Sequence, residues 1–333
     1  MYIISSYGLA VAFCVVTMLC WGSWANTQKL ASDKWRFELF YWDYVLGIVL
    51  FAGLFGLTVG SFGDTGRSFI TDLQQADAAS LGSALLGGVL FNAANILLVA
   101  AIAIAGMAVA FPTGIGLALV IGVVVNYLDQ PLGNAGLLFG GTALVALAIL
   151  LNAYAYRRAS RQQEAGTSSA KGLLLAVVAG CLMGFFYKYV ANSMFADFTV
   201  PEAGKLSPYS AVFVFSLGIL ASNLLFNTLL MRFPFTGEPV TFGQYFAGSG
   251  RNHLMGVLGG LIWCLGMSFS ILASDEAGPA ISYGLGQGAT IVAAIWGIYV
   301  WREFAGAPRG TGTVLNVMLL CYLVGLGLIV AAG

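Results

Sequence analysis

Hydrophobic and polar positions along this chain do not alternate with a period of two. They gather into long apolar runs separated by short polar breaks, and a membrane-crossing helix needs about 20 mainly apolar residues. Ten stretches reach that length: 7–29, 40–58, 81–104, 107–128, 132–156, 171–191, 209–231, 253–272, 280–301 and 312–331. The runs are too long for the strands of a transmembrane barrel, which take about 10 residues each. The breaks at Gly106 and at 274–279 are short enough to make the flanking helices antiparallel neighbours. The expected fold class is therefore an all-α membrane protein with ten transmembrane helices.

Composition agrees. The chain of 333 residues is 59% hydrophobic and 8% charged, with a mean hydropathy of +0.89. A water-soluble domain carries about 25% charged residues. Lys+Arg and Asp+Glu balance at 14 each, so no charge excess invites nucleic acid. The 44 glycines suit close helix–helix approach in lipid. Cys14, Cys20, Cys181, Cys264 and Cys321 sit in apolar runs without CxxC spacing and read as small packing residues. His253 stands at a helix start and reads first as a boundary residue, a proton relay being the lesser alternative. There is no HExxH, Walker A or GxSxG motif, so an enzyme is not expected, nor a metal or cofactor. The N-terminus has no basic region and its apolar run exceeds the ~7–15 residues of a signal peptide core, so it is expected to be the first spanning helix.

Orientation follows from Lys and Arg in the loops. Odd-numbered loops hold Lys29, Lys34, Arg36, Arg157, Arg158, Arg161, Lys171, Arg232, Arg251, Arg302 and Arg309, against Arg67 and Lys205 in the even-numbered ones. The odd loops are then cytoplasmic, and both termini face outside an inner (cytoplasmic) membrane. The polar stretch 157–170 divides the chain into residues 1–156 and 171–333, with five runs in each. Gly88-Val89-Leu90 is echoed by Gly256-Val257-Leu258, Gly114-Ile115-Gly116 by Gly284-Leu285-Gly286, and Asp129 by Glu303. Because five is odd, the second set must enter from the opposite side, giving two inverted five-helix repeats with a site near the midplane.

Polar groups inside apolar helices are costly and mark candidate chemistry. Asp43 lies just inside the second run; desolvation disfavours its charge, so it either takes up a proton or pairs with Lys29 or Lys188. Lys188, in the sixth run, faces the bundle or snorkels to the interface. Trp21, Trp24 and Asn26 could wall a sugar or heterocycle site, or belong to an interfacial aromatic belt. Asn92 and Asn95, spaced i, i+3, bind either solute or a neighbouring helix, and Trp263 could close the opposite wall. Tyr283 and Gln287, spaced i, i+4 among glycines, share a face that could enter the site, tight glycine packing being the alternative. Asp275 and Glu276 read as helix caps, and Arg302-Glu303 as a solvated pair.

WGSWANTQKL (21–30) followed by FYWDYVLG (40–47), with ISYGLGQGATIVAAIWGIYVWREF (281–304) near the end, resembles the drug/metabolite transporter superfamily. Within it the chain is similar to the glucose/ribose-porter and plant ureide-permease branch over nearly its whole length. The resemblance implies a five-plus-five inverted repeat and uptake of small polar solutes such as sugars or ureides, commonly with protons. The leading expectation is proton-coupled uptake of a small neutral polar solute, a sugar first, by alternating access. The alternatives are a ureide or nucleobase-type permease, a drug or metabolite exporter, and a membrane scaffold without solute flux.

Overall fold

The computed structural model describes residues 1–32, 35–63, 65–105, 107–160 and 170–333. Among these the protein is helical throughout, with an isolated bridge between Met194 and Leu206 and no strand. The helices are α1 (Tyr7–Ser23), α2 (Asn26–Leu30), α3 (Phe37–Leu57), α4 (Phe69–Gln75), α5 (Ala78–Ala105), α6 (Met107–Asp129), α7 (Ala135–Ser160), α8 (Ala170–Ser193), α9 (Pro208–Arg232), α10 (Phe242–Phe246), α11 (Gly250–Gln287), α12 (Ala289–Ile295) and α13 (Thr311–Val330). Nine helices among the described residues are long and apolar enough to cross a membrane. Leu54 and Leu323 leave 61% and 64% of their surface uncovered; large apolar side chains left bare in this way mark a surface solvated by lipid.

The apolar runs place the helices well and their ends less well. α3 starts at Phe37, before the expected Phe40, and α11 starts at Gly250 because Ser249 caps it through Asn252 N. The first run is broken: α1 stops at Ser23, and α2 resumes at Asn26. The ninth run is broken too, at Gly288, and ends in a single π-turn at Trp296–Val300. The short helices α4 and α10 had no apolar run to announce them. Gly106 and 161–169, where a hairpin and most of the polar stretch were expected, lie outside the described residues.

The segment Gly250–Val300 runs for 51 residues. Gly278 interrupts it with φ 77°, a conformation glycine adopts without penalty, and Pro279 follows. Ser282 Oγ donates to Ser270 O at 2.6 Å. Twelve residues of unbroken helix span about 18 Å, so the chain doubles back at Gly278, as the short break predicted.

Each long helix before the polar stretch packs on a long helix after it: α1 on α11, α3 on α11 and α9, α5 on α8 and α9, α6 on α8, and α7 on α13. The contacts are close because glycine faces backbone across them. A Cβ on Gly260 would strike Tyr44 O, and one on Gly47 would strike Val257 O. Gly88 and Gly218 make the same kind of approach between α5 and α9. In lipid, dispersion at such small-residue seams replaces the hydrophobic effect as the packing force.

Replacing Gly260 by Val must push α3 off α11. The expected result is a loss of about 1–3 kcal/mol of stability, the usual range for overpacking, read as a lower thermal midpoint in detergent; Gly8→Val, at a position with open space around it, should leave the midpoint unchanged.

Candidate functional site

A cavity of about 190 Å³ lies where α1, α5, α6, α8, α11 and α12 meet. Its walls are aromatic. Trp21 and Trp263 stack with ring centroids 5.8 Å apart, and Phe91 lies 4.4 Å from Trp263. Trp24, Phe111 and Phe186 complete the box. The stack is fixed from behind, since Trp21 Nε1 donates to Trp263 O at 3.1 Å. The polar groups on the wall are few: Asn95, Gln287 and Thr290.

Those few groups are held differently. Asn95 Nδ2 donates to Tyr41 Oη at 3.1 Å, and Tyr41 donates onward to Asn92 Oδ1 at 2.9 Å. Asn92 Nδ2 in turn reaches Ser222 Oγ on α9 at 2.9 Å. This chain of bonds sets the Asn95 amide and leaves its carbonyl oxygen without a partner among the described residues. Thr290 turns its hydroxyl back to Gln287 O at 3.0 Å. The Gln287 carboxamide makes no hydrogen bond among the described residues, although the residue is only 8% exposed. It is the last residue of α11, next to the break at Gly288.

A second cavity, of about 150 Å³, adjoins the first and shares Gly22, Ala25, Phe111 and Ala293 with it. Its far side carries Lys29, Tyr156 and Glu303. Lys29 Nζ lies 2.8 Å from Glu303 Oε1, and Tyr156 donates to Glu303 Oε2. Burial pushes the Glu303 carboxyl up, but the hydrogen bonds from Lys29 and Tyr156 and the Lys29 charge outweigh it and hold it below its ordinary value. Trp301 Nε1 donates to Asn26 Oδ1 at 2.7 Å, which ties α2 to the chain beyond α12.

Asp43 lies away from both cavities. Its side chain is 4% exposed, with Tyr245 donating to Oδ1 at 2.7 Å and His253 Nδ1 at 2.9 Å from Oδ2. Tyr245 belongs to the short α10, and the rings of Tyr245 and Trp35 pack edge-on against the imidazole. Gly256 makes room, because a Cβ there would overlap the Asp43 side chain.

A family model described as "Ureide permease" matches residues 40–171 and 156–332. This chain belongs to the ureide permease family. It is 23% identical to ureide permease 1 of Arabidopsis thaliana over the whole of this chain and 99% of that protein. Ureide permease 2 of the same plant is also 23% identical over 100% and 99%, and ureide permease 5 is 24% identical over 99% and 96%. A solved crystal structure of a protein matches with a TM-score of 0.63 over 97% of this chain and 96% of that one. At 14% identity that likeness concerns the fold alone. The family is one of multi-pass membrane transporters, not enzymes.

Within this permease the structure brings some expected residues together and separates others. Trp21, Trp24, Asn95, Trp263 and Gln287 line one cavity. Asn26 lines the adjoining one. Asn92 faces α9 instead of the cavity. Tyr283 does not share a wall with Gln287: it is fully buried, its ring lies on Gly122 of α6, and its hydroxyl lies 3.2 Å from both Ala118 O and Met183 O. The pairings expected for Asp43 are also corrected. Lys29 is taken by Glu303, and Lys188 by Asp129 at 2.7 Å, near an interface where both side chains are part-exposed. Glu303 accordingly pairs with Lys29, not with its neighbour Arg302.

His253 and Tyr245 were not expected at Asp43. Their signal was available: the first loop leads into Asp43 and the seventh into His253, so both enter from the same end of the bundle. Asn152, which lines the second cavity, was hidden in an apolar run. Tyr283→Phe removes a hydroxyl shared by two buried carbonyls and should cost about 1 kcal/mol of stability, seen as a lower thermal midpoint. The ring keeps its slot on Gly122, so the lining of the cavity should stay as it is.

Proposed function

We propose that this permease carries a small planar ureide across the membrane by alternating access. The observation that carries the reading is the Gln287 carboxamide, buried in an aromatic box with neither its N–H nor its C=O engaged among the described residues. A ureide presents N–H donors beside carbonyl acceptors in one plane. Gln287 can answer both, and the bare oxygen of Asn95 can accept a further N–H. The stacked indoles of Trp21 and Trp263 and the rings of Trp24 and Phe186 suit a flat ligand face. A sugar, the leading expectation from the sequence, asks for more hydrogen-bonding groups than Asn95, Gln287 and Thr290 provide. The family's named members add weight to the ureide.

We place Gly250–Val300 as two crossings folded at Gly278, which makes ten spanning helices. Residues 1–156 and 171–333 are then inverted five-helix repeats joined by 157–170. The interlocking of every early long helix with a late one supports that plan. Membership of the wider drug/metabolite transporter superfamily, an inner-membrane location and outward-facing termini complete the reading. For coupling, Asp43 remains the proposed proton site. His253 and Tyr245, in place of Lys188, are the groups that face it. The Asp43–His253 contact gives a proton two neighbouring acceptors.

In proteoliposomes with an inward proton gradient, radiolabelled allantoin should accumulate, and excess glucose should not compete. Gln287→Leu should weaken binding roughly 10-fold, the value of about one neutral hydrogen bond. Asp43→Asn should abolish accumulation against a gradient while solute exchange continues. Glucose displacing allantoin at equal concentration would return the sugar reading, and full accumulation by Asp43→Asn would remove the coupling role.

A further inference from the structure

The second cavity contains a polar group that the central site does not use. Asn152 projects from α7 four residues before Tyr156, so both lie on one face, and both line this cavity. Asn152 is only 6% exposed, yet its Oδ1 has no hydrogen-bond partner among the described residues. A buried carbonyl oxygen left without a donor is costly, and more so in an apolar bundle where no competing partner lies nearby. The surrounding wall is mainly apolar, from Phe111, Pro112, Ile149 and Trp296. At the outer side Glu303 is already held by Lys29 and Tyr156.

We infer that this cavity is a second ureide subsite, in which Asn152 receives an N–H of the solute between the central box and the Lys29–Glu303 mouth. The inference rests on the ureide reading of the central site. The acceptor on Asn152 selects a ligand that brings its own N–H or O–H. The Lys29 charge at the mouth is already met by Glu303 at 2.8 Å, so it is not held ready for a carboxylate or phosphate solute, and a neutral ureide fits. The shared wall of Gly22, Ala25, Phe111 and Ala293 makes the two subsites neighbours along one route. Small residues at three of those four positions keep the neck passable.

Equilibrium dialysis of the purified full chain against radiolabelled allantoin tests this. Two molecules should bind per chain. Asn152→Leu should reduce this to one, with the affinity of the remaining site unchanged, whereas Gln287→Leu should keep two, the central one bound roughly 10-fold more weakly. Leu is close to Asn in size and removes an unmet acceptor, so the ligand-free Asn152→Leu protein should melt no lower than wild type; the loss of a binding event is then not a loss of fold. Two molecules bound to Asn152→Leu, or a single wild-type molecule indifferent to that change, would overturn the subsite and leave the central ureide site standing. No allantoin bound to wild type at any concentration would overturn the ureide reading itself, and this inference with it.

Discussion

A polar group inside a bilayer has no water to turn to, so the protein must supply its partner or leave it bare. That constraint sorts the interior of this bundle. Tyr41, Asn92 and Ser222 answer one another across α3, α5 and α9. Tyr187, Ser270 and Ser282 do the same between α8 and the two arms of α11. These groups are structural because their bonds are already made. The Gln287 carboxamide and the oxygens of Asn95 and Asn152 have no partner among the described residues, and these three residues border the two adjoining cavities; other unmet groups, such as those of Asn223 and Tyr44, lie away from them. An unmet bond points to a ligand only where it also meets a cavity, and these three residues satisfy both conditions.

The fold was legible because lipid writes a simple code. Long apolar runs located the spanning segments, and the short break before Pro279 located the reversal of α11. What apolar runs cannot express is an interruption within them. The turn at Trp24, the helix end at Gly288 and the π-turn after Ile295 all fall inside runs that stay apolar on average. Hydropathy averaged over 20 residues passes over such points. α4 and α10 escaped for the opposite reason, being short helices of mixed character that gain their order from what they touch.

Side-chain partners were less legible, although part of the answer followed from topology. Lys188 closes the sixth run and Asp43 opens the second, so alternating crossings put them at opposite ends of the bundle. They could not have met. The same reasoning sends Lys188 to Asp129, Lys29 to Glu303 and Asp43 to His253, the pairs the structure contains. Rotation about a helix is harder to read. Tyr283 and Gln287 are four residues apart on continuous helix within α11, so the spacing sets their side of the helix but not what each side chain meets there. Gly122 opens a slot on α6 that takes the Tyr283 ring, and nothing in the spacing of the ninth run reports a glycine on another helix.

The two ends of the route are closed by bonds of different kinds. Beyond Trp21, towards the end that carries Met1, α1 is joined to α11 by Thr17 Oγ1 to Gly266 O at 2.8 Å. Cys14 then approaches Ser282, and Phe13 stacks on Phe269 with centroids 4.4 Å apart. These contacts are buried for the most part, where hydrogen bonds meet little competition. At the other mouth the Lys29 and Glu303 side chains are 47% and 28% exposed, and an ion pair so placed is worth only ~0–1 kcal/mol. Tyr156 on Glu303 and Trp301 on Asn26 add hydrogen bonds at that mouth, so the two closures differ in exposure more than in the number of bonds to be broken. A carrier that alternates must make both closures comparable at some point in its cycle, and a ligand can shift that balance only by its difference in affinity for the two states. Trp21 belongs to the α1–α11 seam through its bond to Trp263 and to the cavity through its ring, so in the proposed cycle a solute stacked on that ring would act on the buried closure directly.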